Sequence, residues 1–267
     1  MQKKDTPVVI GAGRIGGALH ARSGWPLIGR PEHPGHPVQG DDTAVLEQPP
    51  GAPILICVRN DDLDAVLRRV PEARRPDLVF IQNGMLEDFL AERGLADATR
   101  GLLFLSVASR GAPIEVGGTS PFTGPHAEHM ARLFQGIDLA AEAIDRARFT
   151  AVMLEKLLWN CVFGLLCQVH GCDVGTVLDE YAGEHSGELE TLVAELAAVG
   201  RAALGVQVGD AELVERLGAY SRSIPRVRAA VREWRWRNGW FVRTAARLGL
   251  PLPLHARLTA RLSPPPA

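Results

Sequence analysis

At 267 residues, with 46% apolar and 22% charged residues, the chain has the make-up of a globular protein long enough for one large or two modest domains. Its net charge of −2 gives no electrostatic reason to expect nucleic acid or an anionic membrane as a partner. No run approaches the ~20 apolar residues that a membrane span requires, and because the charged N-terminus leads directly into a strand no signal peptide is expected.

In chain order, Val8 to Ile10 predicts a first strand, followed by a glycine turn and a helix through about Ala21. The turn reads Gly11-Ala12-Gly13-Arg14-Ile15-Gly16, a GxGxxG between a strand and an apolar helix. Gly11 permits the tight turn, Gly13 lets a pyrophosphate approach the backbone, and Gly16 lets the helix pack on the strand. The helix N-terminus offers amide donors to the phosphates. A second strand, Leu27-Ile28, runs into Gly29-Arg30. An arginine at that strand end accommodates the 2′-phosphate of NADP, so Arg30 favours NADPH. Glu32, close behind, is the rival, since an acidic residue there would hold the 2′-hydroxyl of NAD.

Pro31 to Gly40 reads as a loop. Ile54 to Val58 and Leu78 to Gln82 predict further strands, with a helix over Asp62 to Arg69 between them, and Leu102 to Val107 predicts another strand. Apolar strands alternating with helices imply a parallel sheet covered on both faces. From about Ala140 helical periodicity takes over: Phe149 to Leu166, Glu188 to Leu204, Ala211 to Leu217 and Val227 to Leu248, punctuated by Gly205, Gly218, Gly249 and the Pro251/Pro253 pair. The fold expected is therefore α/β, with a Rossmann-type parallel-sheet domain over residues 1–143 and an all-helical domain over 144–267.

Cys57, Cys161, Cys167 and Cys172 lie in or beside apolar stretches without a CxxC pair, as reduced core thiols of a cytoplasmic protein do. Cys167, His170 and Cys172 lack a second half-site, so no metal is expected. Lysine is nearly absent. Of 29 basic residues only Lys3, Lys4 and Lys156 are lysine. Lys156 lies in an apolar helical run with Asn160 one turn on. An ammonium can lose its proton when desolvated, whereas a guanidinium stays charged.

Three further segments complete a pattern: Ile81-Gln82-Asn83-Gly84, Glu155-Lys156-Leu157-Leu158-Trp159-Asn160, and Glu233-Trp234-Arg235-Trp236-Arg237-Asn238-Gly239-Trp240. In this order behind the glycine turn, they resemble the 2-dehydropantoate 2-reductase (ketopantoate reductase) family, whose members join a Rossmann domain to a helical one. The resemblance implies that Lys156 and Glu233 are catalytic, with Lys156 protonating the carbonyl oxygen as hydride arrives from NADPH. It implies that Asn83, Asn160 and Ser221 bind substrate. It also implies that Arg59, Asn83, Ala108 and Glu233 join Gly11, Ala12, Gly13, Arg14, Ile15, Gly16 and Arg30 at the cofactor. The implied partner is a small 2-oxo acid, and a homodimer is a candidate assembly. The chain departs from the family at Arg59, where lysine is usual, at Gly164, where a second amide is expected, and around Glu233, where Arg235, Arg237 and tryptophans replace acidic and aliphatic residues. Two other functions stay open: reduction of a different carbonyl or imine, and a non-catalytic NADP(H) sensor.

Overall fold

The computed structural model describes residues 6–29, 50–179 and 187–262, so the readings made for Arg30 and Glu32 fall outside the described residues. The chain divides into two compact units, residues 1–149 and 150–267.

In the first unit, β1 (Val8–Ile10), β2 (Leu27–Ile28), β3 (Ile54–Ile56), β4 (Leu78–Phe80) and β5 (Thr99–Gly101) form parallel neighbours in the order β2-β1-β3-β4-β5. A short antiparallel pair, β6 (Leu105–Ser106) with β7 (Glu115–Val116), stands apart from them. The main sheet continues through β8 (Ser120–Thr123), antiparallel to β5, and ends at β9 (Ala141–Ala143). Strands this short hold together because both faces are covered. Val9, Leu55 and Val79 lie in register across β1, β3 and β4 and are fully buried. Each such side chain contributes about 1.5–3 kcal/mol by leaving water. Helix α1 (Arg14–Ser23) follows β1, α2 (Leu63–Arg69) follows β3 and α3 (Glu87–Ala91) follows β4. Helix α4 (Ala127–Gln135) buries Ala127, Met130, Ala131 and Phe134, a single 3.6-period stripe, and packs on β8 and β9.

The expected strand over Leu102 to Val107 is displaced. The sheet strand is Thr99–Gly101, and only Leu105–Ser106 of the apolar run pairs, with β7. The polar letters of β5 conceal it: Arg100 is 1% exposed, and its guanidinium donates to Glu87 at 2.9 Å. Gly101 leaves room for Phe122, whose ring would lie 2.5 Å from any Cβ there.

The long helix α5 (Arg146–His170) leads into the second unit, which adds α6 (Val174–Asp179), α7 (Glu188–Leu204), α8 (Asp210–Ser223), α9 (Asn238–Leu248) and α10 (Pro253–Thr259). Helix α7 is central and packs on α8, α9 and α10. Its Gly200 meets Leu154 of α5 so closely that a Cβ would fall 2.4 Å from the leucine methyl. Glu195 of α7 accepts from the backbone amides of Leu254 and His255 at 2.8 and 2.9 Å, satisfying donors in the first turn of α10. Helix α5 is, contrary to the expectation from sequence, long and apolar enough to cross a membrane by composition. However, 61% of its most apolar window is buried in the fold, as in a core helix. The continuous helix expected over Val227 to Leu248 is also corrected. Residues 227–233 are not helical, Trp234–Trp236 form one 3-10 turn, and α9 begins only at Asn238.

Candidate active site

The strand order reverses around β1, which has β2 on one side and β3 on the other. Chain connections diverge at such a point and leave a crevice beyond the carboxyl end of the strand. A cleft of about 590 Å³ lies there, lined by Gly11, Ala12, Gly13, Ile28, Cys57 and Arg59 among others. The glycines divide the work as a dinucleotide turn requires. Gly11 has φ +117°, and a Cβ on it would strike the Cys57 backbone at 2.7 Å. A Cβ on Gly16 would fall 1.9 Å from the Gly11 carbonyl oxygen. Gly13 faces open space, with nothing within 4 Å of a Cβ position. Two glycines are therefore packed tight, and the third leaves backbone exposed where a pyrophosphate would come. Helix α1 starts at Arg14 with no acidic side chain in its first turn, which suits an anion at its positive end. These residues fit a dinucleotide.

Arg14 reaches across the turn, its guanidinium donating to the carbonyls of Val107 and Ala108 at 3.4 and 3.3 Å. The Ala108 backbone is thus tied to the glycine turn. Ala12 and Ile15 pack against the apolar core behind it. Asn83 follows β4, where the Asn60 amide donates to its backbone carbonyl at 2.8 Å, and its side-chain oxygen is buried without a hydrogen-bond partner. Gln82 beside it donates to the carbonyls of Ile56 and Val58, tying the ends of β3 and β4 together. Asn60, Arg69 and Arg110 were not singled out by the sequence reading. Asn60 is 2% exposed, and Arg69 and Arg110 line the cleft. Only its position next to Arg59 could have marked Asn60.

The second unit holds the other group. Lys156 and Asn160 are one turn apart on α5, and the Asn160 amide donates to the Lys156 carbonyl at 2.7 Å. Arg237, just ahead of α9, joins this helix to Glu233. Its guanidinium donates to the Asn160 side-chain oxygen at 3.2 Å and to the Glu233 carboxylate at 2.7 Å. Glu233 sits in the left-handed region, φ +47°, an uncommon conformation for a residue with a side chain. Burial lowers the Lys156 amine from 10.5 to about 7, and the Arg237 charge adds to the fall. Near neutral pH such an amine can both give and take a proton. Ser221 stands outside this network. It is fully buried, and its hydroxyl accepts from the Trp159 indole at 2.9 Å; the alternative, Ser223, bonds the Tyr220 carbonyl.

Gly164, two turns beyond Lys156, proves to be a place of close approach. A Cβ there would lie 3.0 Å from the carbonyl oxygen of Ala230. The non-helical segment before Glu233 lies against α5 at this point, and the Val231 amide donates to Gln168 at 2.9 Å. Backbone fills the space in which an amide side chain was expected. Behind Glu233, Trp234 stacks on His255 of α10, with ring centroids 6.0 Å apart, and His255 pairs with Asn238 at 2.9 Å. Burial holds the His255 imidazole down at about 4, so it is neutral at physiological pH.

The chain thus carries a Rossmann-type sheet with a glycine-rich turn, followed in sequence by an all-helical unit. Residues 148–264 of the chain match the family described as ketopantoate reductase PanE/ApbA C terminal. Among solved structures it is similar to a PanE/ApbA family ketopantoate reductase from Ralstonia eutropha JMP134, at 22% identity and a TM-score of 0.72 over 96% of this chain and 98% of that one. It is also similar to a dimeric ketopantoate reductase from Staphylococcus aureus (17% identity, TM-score 0.68, 96% and 98% covered). D-Mandelate dehydrogenase bound to NADH and anilino(oxo)acetate is a third likeness (13% identity, TM-score 0.70, 96% and 97% covered). At these identities the likenesses establish the fold. Among curated proteins no sequence match is found.

Proposed function

We propose that the protein is a cytoplasmic NADPH-dependent reductase that converts a small 2-oxo acid to the 2-hydroxy acid, with Lys156 as proton donor. One observation carries the reading: the only lysine beyond the N-terminal tail has an amine lowered to about 7, in a chain that also carries a dinucleotide turn. A bound nicotinamide supplies hydride to the carbonyl carbon. Lys156 then gives its proton to the oxygen, which balances ketone, hydride and proton against the alcohol. Asn83 has a side-chain oxygen to spare for orienting substrate or cofactor, while Asn160 spends its amide on the Lys156 carbonyl and fixes that turn of α5. Glu233 acts through Arg237, the residue to which it is paired. Ser221, buried against Trp159, supports the helix packing and is left out of the substrate contacts.

The choice of NADPH rests on Arg30, with Arg69 and Arg110 adding cations to the cleft. The likeness to an NADH-bound D-mandelate dehydrogenase favours a second reading, in which the cofactor is NADH and the oxo acid is not ketopantoate. Following the oxidation of NADPH and of NADH with a panel of 2-oxo acids separates the two. Lys156→Ala should abolish turnover while leaving dinucleotide affinity nearly intact. Turnover by Lys156→Ala at the wild-type rate would end the assignment, and tight NADPH binding with no carbonyl consumed would turn the reading toward a sensor.

A further inference from the structure

The β6–β7 hairpin of the first unit carries a cation to the glycine turn. Its two feet are apolar, and Leu103, Leu105 and Ile114 lie on the core of that unit. At the tip, Ser109-Arg110-Gly111-Ala112 makes a tight turn, closed by the Ala112 amide donating to the Ser109 carbonyl at 3.2 Å. Gly111 has φ +80°, the value that a type II turn demands at its third position. Arg14 adds a further hold through the carbonyls of Val107 and Ala108. Arg110, second in the turn, therefore stands on a fixed backbone. Its side chain is exposed, and no hydrogen bond or ion pair engages it among the described residues.

The cavities say where this arginine lies. A second one, of about 420 Å³, runs along α1 and is lined by Gly17, Ala21 and Gly111 among others. Gly13 and Arg110 are the two residues that line both this cavity and the cleft of about 590 Å³. Arg110 thus stands by the glycine that leaves backbone open to a ligand. Asp61 and Asp62 line the cleft alone, and among the described residues the second cavity has no acidic side chain, so the full charge near Gly13 is positive. A diphosphate carries more negative charge than the roughly +0.5 that a helix N-terminus offers. A guanidinium supplies the difference, and its planar fork matches phosphate oxygens.

We propose that Arg110 is the residue that binds the diphosphate of the dinucleotide, presented by the hairpin tip, and that Arg14 positions that hairpin. This rests on the dinucleotide reading given above and names the cation that meets the group common to NADPH and NADH. Arg110 adds affinity for both cofactors and leaves the choice between them to the ribose end of the cleft. Holding the turn rigid beforehand spares the ordering cost that a floppy loop would incur on binding.

Affinities for NADPH, NADH and adenosine 2′-monophosphate, measured by calorimetry on the full chain, test this. The first two contain a diphosphate, and the third has the 2′-phosphate without it. Arg110→Gln should weaken NADPH and NADH by the same factor, roughly 10-fold, the lower end for a charge-assisted hydrogen bond because the side chain is exposed. Adenosine 2′-monophosphate should be unaffected. The loss should shrink as salt is raised, and Arg110→Lys, which keeps the charge, should recover most of it. Arg14→Gln should also weaken both dinucleotides, and the double variant should be no weaker than Arg110→Gln alone, because Arg14 acts through the hairpin. Unchanged dinucleotide affinity in Arg110→Gln, a loss shared by adenosine 2′-monophosphate, or additive losses in the double variant would overturn the proposal. Failure of wild type to bind either dinucleotide would instead strike the dinucleotide reading itself.

Discussion

Keeping an amine at Lys156 should cost the fold stability, and Lys156→Met removes that cost. A fall from the ordinary 10.5 to about 7 corresponds to roughly 5 kcal/mol against the charged form at full strength. The side chain is half-buried, and solvent screening leaves about 2–4 kcal/mol of this. The sign follows from proton counts. Between pH 7 and pH 10.5 the unfolded chain holds a proton on Lys156 that the folded chain has lost, so wild-type stability gains as pH rises through that window. Lys156→Met should therefore be more stable than wild type at pH 7 and below, and the advantage should shrink toward zero as the pH approaches 10.5. Urea unfolding of both proteins at pH 6, 7, 8 and 9, followed by tryptophan fluorescence, measures it. Four of the five tryptophans, Trp159, Trp234, Trp236 and Trp240, lie in the helical unit, so the signal reports that unit. Groups other than Lys156 cancel in the difference between the two proteins. A variant no more stable than wild type at pH 7, or a difference that stays flat with pH, would refute the reasoning. In the active protein the same amine predicts a reduction rate that declines as pH rises through about 7, where the donor loses its proton.

Gly16→Ala should disrupt the turn, because a Cβ cannot sit 1.9 Å from the Gly11 oxygen; a loss of 2 kcal/mol or more in unfolding is expected, at about the upper range for overpacking. Gly13→Ala meets open space and should leave stability unchanged while weakening dinucleotide binding, measured by calorimetry; equal effects from the two would refute the division of labour. Gly164→Asn, which restores the amide usual in the family, should destabilise by about 1–3 kcal/mol and not improve turnover, since the Ala230 carbonyl lies in its way. Asn60→Ala frees the Asn83 carbonyl and should lower stability by about 1–3 kcal/mol, the penalty of an unmet buried acceptor, and a neutral result in thermal unfolding would count against the role given to Asn60.

What the sequence disclosed followed from the strength of its local signals. The first strand, the glycine turn and the helix after it lie in one short stretch where β-branched residues, glycines and an apolar stripe agree. Strands β5, β8 and β9 escaped because their letters are polar or small. Arg100 reads as surface, yet it is buried with its guanidinium on Glu87, a partner thirteen residues away that no local pattern reveals. The segment 227–237 read as helix since its tryptophans and valines have suitable spacing, but packing of Ala230 on Gly164 and the left-handed Glu233 override that preference. At the site, Lys156 stood out by its rarity and by the apolar helical segment it shares with Asn160. Arg237 did not, because an arginine among arginines looks like surface until its partners are seen.

Glu195 gives the carboxy-terminal end of the chain a bearing on chemistry far from it in sequence. By holding the amides of Leu254 and His255 it docks α10, whose imidazole lies on Trp234, the neighbour of Glu233. A fusion partner or purification tag that tugged on this last helix would therefore be felt as poorer turnover, while an equal load on the amino terminus would spare that relay.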